Sequence, residues 1–425
     1  MNDHSGVRAA PPPGVGAAWP DTVLLDGVRT PFADYNGALS GVSPIDLGIK
    51  AARAVLDHAG VAPSEVGTVI AGSMAQASFD AYMLPRHIGL YAGVPVSVPA
   101  HLVQRVCGTG IEVLMQACDA ITYRGVAMAL CVGAESMSRN PVAAYTHRQG
   151  FRMGQVAFKD FLWEALLDPA CDTSMGGTAE NLARQHGITR PEVDAFAVRS
   201  FARAVAAREA GFFDDEIIPV VSESFAVEGL ASRGIALDRK LVSLDADTHV
   251  RVSTLEALAR IRPAFGGVQT GGNSSAVVDG AAAALVCSGA GAAALGRRPL
   301  ARILAGVAVG CRPEVMGIGP VPAIQSLLAR TGLGLAEIDR VEINEAFGAQ
   351  AMACARALGL DEDRLNVNGG AIAIGHPLGA TGIRLAVTLA RELRRSGLRR
   401  GIASACIGGG QGIALLIENP EFGVG

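Results

Sequence analysis

With 425 residues, 50% hydrophobic and 18% charged, the chain can bury a large core over more than one structural unit, which excludes a small fold held by staples. A net charge of -4 and a pI near 6.1 give no basic field for nucleic acid, and no apolar run free of glycine and charge reaches membrane-spanning length. Eight cysteines without a Cys-x-x-Cys pair, and no apolar signal stretch, point to free thiols in a reducing cytoplasm and away from a metal site.

Residues 1–20, rich in proline and glycine, read as a disordered N-terminal tail. The apolar run 21–26 reads as an opening buried strand. Ser43, Pro44 and Asp46 then start a helix by capping, by a preset φ and by charge, and it runs to Gly60. Strands are expected at 66–71 and 127–132, with helical stretches between them. The same grammar returns late: strand 302–309, helix 323–330, strand 341–344, helices 348–358 and 381–395, then strands 402–405 and 412–417. Strands alternating with helices imply parallel pairing. The fold class is therefore α/β, built from two related halves with no residue-level repeat between them. One half covers 21–140 plus 266–295, the other 296–425. The intervening 141–265, with helices at 176–186 and 191–209, reads as an inserted loop domain.

Four segments carry chemistry. In 103–121, Cys107 precedes a helix that begins at Gly108-Thr109-Gly110, so unpaired helix N–H groups can lower its thiol pKa. A buried core cysteine would look the same. In 366–387, His376 lies in a glycine-rich loop ahead of a helix, as a candidate general base or an ordinary loop histidine. In 404–412, Cys406 ends an apolar strand before three glycines, which suits either a structural hairpin or bare N–H groups aimed at a ligand oxygen. In 341–350, Asn344 and Glu345 stand where strand becomes helix; Asn344 can cap that helix or fix a water.

These segments, in this order, resemble the thiolase family of acetyl-CoA acetyltransferases and 3-ketoacyl-CoA thiolases. The likeness extends over GAESMSRNP, MGGTAENLA, GGNSSAVVDGAAA and VMGIGPVPA, and so over most of the chain. It implies a layered α-β-α-β-α fold and Claisen chemistry on acyl-CoA, acetyl-CoA and CoA, with no resident cofactor or metal. Cys107 would be the nucleophile and acyl carrier, His376 its base, and Cys406 the acid or base at the α-carbon. Asn344, through a water, and the N–H of Gly408 would serve two oxyanion holes. Arg251, Ser275, Phe265, Met175 and Met316 would bind CoA. A homodimer or homotetramer is implied, with the insertion building oligomer contacts. Ser174 stands where a histidine is usual in short-chain biosynthetic members, Gln411 where methionine is common and Gln104 where asparagine is; Arg251 is one residue out of register. The rivals are a decarboxylating ketoacyl synthase, which would need a second histidine or an asparagine partner, and a silent CoA- or lipid-binding scaffold.

Overall fold

The computed structural model describes residues 13–75, 81–145 and 147–423. Its strands come from apolar runs such as Thr22–Arg29, Met128–Ser136 and Val278–Ser288, which are buried along nearly their whole length. No period-two alternation survives in them because helices cover both faces of the sheet.

In one half the strands in chain order are Thr22–Arg29, Thr68–Gly72, Ala100–Val103, Met128–Ser136 and Val278–Ser288. In the other they are Ala301–Gly310, Arg340–Ile343, a remnant at Leu365, Arg400–Ile407 and Gln411–Glu418. Numbered within its half, each set lies side by side as first, fifth, fourth, second and third, counted outward from the centre of the molecule. The two first strands pair with each other through Ala301 and Arg302 against Leu24 and Val23, so the hydrogen-bonded path runs unbroken across both halves. In the second half the third strand has shrunk to one bridge between Val341 and Leu365. Its place is completed by Asn366, whose side-chain amide donates to the Ile343 carbonyl and accepts from the Ile343 N–H, both at 2.9 Å.

The expected parallel pairing holds only for the outer strands of each half. The fifth strands are antiparallel to both neighbours. In the second half, three residues join the fourth strand to the fifth, and so tight a turn can connect only antiparallel strands.

Helices form the other layers. Pro44–Ala59 packs outside the first half-sheet and Pro320–Thr331 outside the second, while Thr109–Arg124 and Leu378–Arg395 lie against each other and touch both half-sheets. These last two cross at glycine: a Cβ on Gly382 would sit 2.1 Å from the Ile111 nitrogen, and one on Gly110 2.7 Å from the Gly382 nitrogen. Backbone therefore meets backbone, and both helix N-termini are drawn to one place.

The tail ends sooner than its composition suggested. Residues 1–12 lie outside the described residues, but Val15–Ala18 forms a strand antiparallel to Ala305–Ala308, and Trp19 is buried with its indole N–H donating to Asp119 at 2.8 Å. Small residues allow this, since a Cβ on Gly16 would come within 2.5 Å of the Gly306 carbonyl. Between Ser136 and Val278 the chain leaves the sheet through short hairpins and the helices Met175–Gln185 and Arg190–Glu209, both of which pack on Gly348–Leu358 of the second half. Among the described residues no helix is long and apolar enough to cross a membrane.

Candidate active site

Cys107 sits in a single turn, Val106–Gly108, between the strand Ala100–Val103 and the central helix Thr109–Arg124. Val106 adopts φ 43°, a left-handed conformation that costs a β-branched residue about 1–3 kcal/mol. Thr109 holds that turn: its hydroxyl accepts from the Arg105 N–H at 2.9 Å and donates to the Val106 carbonyl at 2.6 Å. Cys107 is thus fixed by a turn that a side-chain hydroxyl closes.

The backbone N–H groups of Cys107 and Gly408 both favour the Cys107 thiolate. Gly408 opens the turn between the last two strands, where Gly409 and Gly410 take φ of 84° and 85° and so require glycine. Cys406, in the same hairpin, is fully buried beside Met175, Met316 and Ala346.

His376 lies just ahead of the second central helix. Its Nδ1 is 2.6 Å from the Thr381 hydroxyl, which itself donates to the Pro377 carbonyl at 3.0 Å. That bond leaves the Thr381 oxygen as acceptor, so the histidine proton sits on Nδ1 and Nε2 carries the lone pair. Asn344 faces Nε2 through its Nδ2 at 3.2 Å, while its Oδ1 is buried without a protein partner. The alternatives at this strand end now separate: Asn344 points at the histidine, and Glu345 clamps loops, accepting from Ser200, from the side chain of Asn366 and from the N–H of Ile372.

Burial governs protonation here. It pushes the Cys107 thiol up to about 11, against the two N–H groups that lower it, with Glu135 adding to the rise. The sequence-based expectation of a thiol activated in the resting state is overturned, because desolvation outweighs the helix terminus. Burial also holds His376 down to about 3, helped by the Arg384 charge, and raises the Cys406 thiol well above its ordinary range. Each of these shifts favours the uncharged form.

A mostly apolar cavity of about 220 Å³ leads to this cluster. His376 lines it, as do Met137 and Leu378, which pack on Cys107. Of the residues expected to hold CoA, Ser275, Phe265 and Met175 line the cavity; Phe265 rests its ring on Gly176 and meets Phe347 edge-on. Met316 and Arg251 do not line it. Met316 is buried under Cys406, and the exposed Arg251 instead stacks on Phe201 and bonds to His249.

Three supports went unnoticed in the sequence. Thr381 gives no signal there, since five residues from a histidine is no recognised spacing. Glu135 could have been found as a carboxylate in an otherwise apolar buried strand. It accepts from the N–H groups of Met74, Ala75 and Gly379 and from Ser73, tying the first half to the start of the second central helix. Glu180 similarly pins the cavity loop through the N–H groups of Val268 and Gln269.

The family description "Thiolase, N-terminal domain" matches residues 22–290, and "Thiolase, C-terminal domain" matches 297–419. The chain belongs to the thiolase family. Human mitochondrial 3-ketoacyl-CoA thiolase is 42% identical to this thiolase over 406 residues, 93% of this chain and 99% of the relative. Acetyl-CoA acetyltransferase of Chromobacterium violaceum is 40% identical over 94% of this chain and all of its own. Among solved structures, the human mitochondrial 3-ketoacyl-CoA thiolase in complex with CoA matches with a TM-score of 0.88 at 41% identity, covering 94% of this chain and 98% of that one. The Bacillus anthracis acetyl-CoA acetyltransferase matches with a TM-score of 0.88 at 39% identity, covering 94% and 99%.

Proposed function

We propose that this thiolase is an acyl-CoA C-acyltransferase that condenses acetyl-CoA with acyl-CoA, or cleaves 3-ketoacyl-CoA with CoA, through an acyl-Cys107 intermediate. The observation that carries this reading is the meeting of three loops: Met137 and Leu378 pack on Cys107 and line one cavity with His376, and the hairpin of Cys406 and Gly408 packs on the Cys107 turn through Ile407 and Gly108.

In the thiolysis direction Cys107 Sγ attacks the 3-keto carbonyl as its proton moves to His376 Nε2. The new oxyanion lies against the N–H groups of Cys107 and Gly408. The carbon–carbon bond then breaks; its electron pair becomes the enolate of acetyl-CoA, which takes the Cys406 proton at carbon. His376 and a water donating to Asn344 Oδ1 surround the enolate oxygen. CoA finally attacks the acyl-Cys107 thioester as its thiol proton passes to the Cys406 thiolate; Cys107 leaves, regains its proton from His376, and the shortened acyl-CoA is released. Condensation retraces these steps. A buried thiol is a weak acid whose thiolate is a strong base, which suits exchange with a weakly acidic α-carbon.

Acetyl-CoA acetyltransferase activity, with acetoacetyl-CoA as the cleaved substrate, is the reading we favour. A longer-chain 3-ketoacyl-CoA thiolase has separate support in Ser174 and in the 42% identical human relative. Thiolysis rates over a ladder of 3-ketoacyl-CoA lengths separate the two. We also place the enzyme in the cytoplasm, which its eight unpaired thiols suit, as a homodimer or homotetramer. Cell fractionation and sedimentation test those points. For the reaction itself, loss of acetoacetyl-CoA in the presence of CoA is expected in the wild type and not in Cys107→Ser. No turnover in the wild type, or undiminished turnover in the variant, refutes the assignment.

A further inference from the structure

The hairpin that carries Cys406 and Gly408 belongs to the second half, and the turn that carries Cys107 belongs to the first. Within its own half the hairpin is anchored by backbone: the Cys311 N–H donates to the Gly410 carbonyl at 2.7 Å, and a Cβ on Gly412 would lie 1.9 Å from the Gly319 carbonyl. Across to the first half, Ile407 packs on Gly108. One polar side-chain link adds to that contact. Arg105 Nη1 donates to Gln411 Oε1 at 3.1 Å, joining residues 306 apart in the chain, while the same guanidinium is held by Glu112 through Nε at 2.8 Å.

We infer that Arg105 and Gln411 are positioning residues, a side-chain strut that sets the Cys406 hairpin against the Cys107 turn. Both lie next to the groups they would place: Arg105 is two residues before the nucleophile, and Gln411 is the first residue of the strand after the turn. Glu112, one turn into the central helix, points the guanidinium, and Gln116 in turn donates to Glu112 at 3.1 Å. Methionine at position 411 would have no oxygen to accept from Arg105, so it removes the link while keeping the length of the side chain. The steps that need the two loops in register are carbonyl attack, which uses the Gly408 N–H, and protonation at Cys406. The Cys107–His376 pair does not depend on the strut, because Thr109 and the glycine crossing of the helices hold it.

This inference rests on the roles given to Cys406 and Gly408, and the test keeps the two levels apart. Wild type, Gln411→Met, Arg105→Met, the double variant and Gln411→Glu are compared for kcat and KM in acetoacetyl-CoA thiolysis and for the rate of iodoacetamide alkylation at Cys107. Each methionine variant should lose about tenfold in kcat, the scale of a sub-ångström misplacement of catalytic groups. KM for CoA should stay within about twofold of the wild type, and the alkylation rate should fall by much less than kcat, since only one of the two N–H groups that favour the Cys107 thiolate lies on the hairpin. The double variant should be no worse than the singles, and Gln411→Glu, which keeps an acceptor for Arg105, should retain kcat. Wild-type kcat in Gln411→Met, equal loss in Gln411→Glu, additive losses in the double variant, or alkylation falling in parallel with kcat would each overturn the strut. An inactive wild type would instead overturn the reaction assignment.

Discussion

Replacing Thr381 by valine isolates the tautomer of His376. Valine nearly matches threonine in shape, so the buried site keeps its volume and loses one oxygen. The Pro377 carbonyl, which Thr381 also contacts, still accepts from the N–H groups of Ala380 at 2.9 Å and Thr381 at 3.0 Å. The cost therefore falls on His376 Nδ1–H, whose 2.6 Å bond has no replacement. A buried donor left unpaired costs about 1–3 kcal/mol. Moving the proton to Nε2 does not rescue it, because Nε2 would then face the Asn344 amide donor at 3.2 Å. Spent in the transition state, that energy lowers kcat about 10- to 100-fold. Steady-state thiolysis of acetoacetyl-CoA reads kcat, and chemical denaturation reads stability. Thr381→Ser restores the oxygen and should return most of the rate. Wild-type kcat in Thr381→Val, or a loss that serine does not recover, refutes the tautomer reasoning.

Two further outcomes follow from the site. With Cys107 raised to about 11 and His376 lowered to about 3, the wild type at pH 7 should show no ultraviolet thiolate absorbance from Cys107. Its alkylation rate should be nearly flat in the neutral range, whereas His376→Asn should become proportional to hydroxide. A neutral-pH thiolate signal lost in Cys107→Ser would contradict this. The same histidine links to stability: between 3 and its unfolded value of 6.5 the unfolded chain binds the extra proton, so stability is complete above 6.5 and is lost as pH falls towards 3. Denaturant midpoints across that window, compared with His376→Asn, measure the term. At the helix crossing, Gly382→Ala puts a methyl 2.1 Å from the Ile111 nitrogen and should cost about 3 kcal/mol or prevent folding, read from the same denaturation curves.

Most elements were legible as apolar runs bounded by caps and glycines. The helix at Ser43 and Pro44 ends at Gly60 in the αL conformation, as its sequence indicates. Boundaries slipped where the cue sat inside the element: Pro320 and Pro377 mark helix starts earlier than apolar periodicity does. Antiparallel fifth strands were hidden because a buried strand carries the same apolar run in either direction. Val15–Ala18 was missed since backbone pairing at a sheet edge needs small residues rather than a pattern. At the site, Cys107, His376 and Asn344 could be singled out by their loops, and the structure brings all three together. Their protonation could not be read, because desolvation depends on everything packed around a group.

Since both halves share one strand order, Cys107 and His376 occupy the same station in each: immediately ahead of the helix that follows the third strand. An assembly of two identical halves would put like groups at both stations, two carriers without a base or two bases without a carrier. On the proposed mechanism the two stations divide the labour, a thiol in one half and an imidazole in the other. Either half expressed alone would then lack one of the two groups and should be chemically mute until it meets the other.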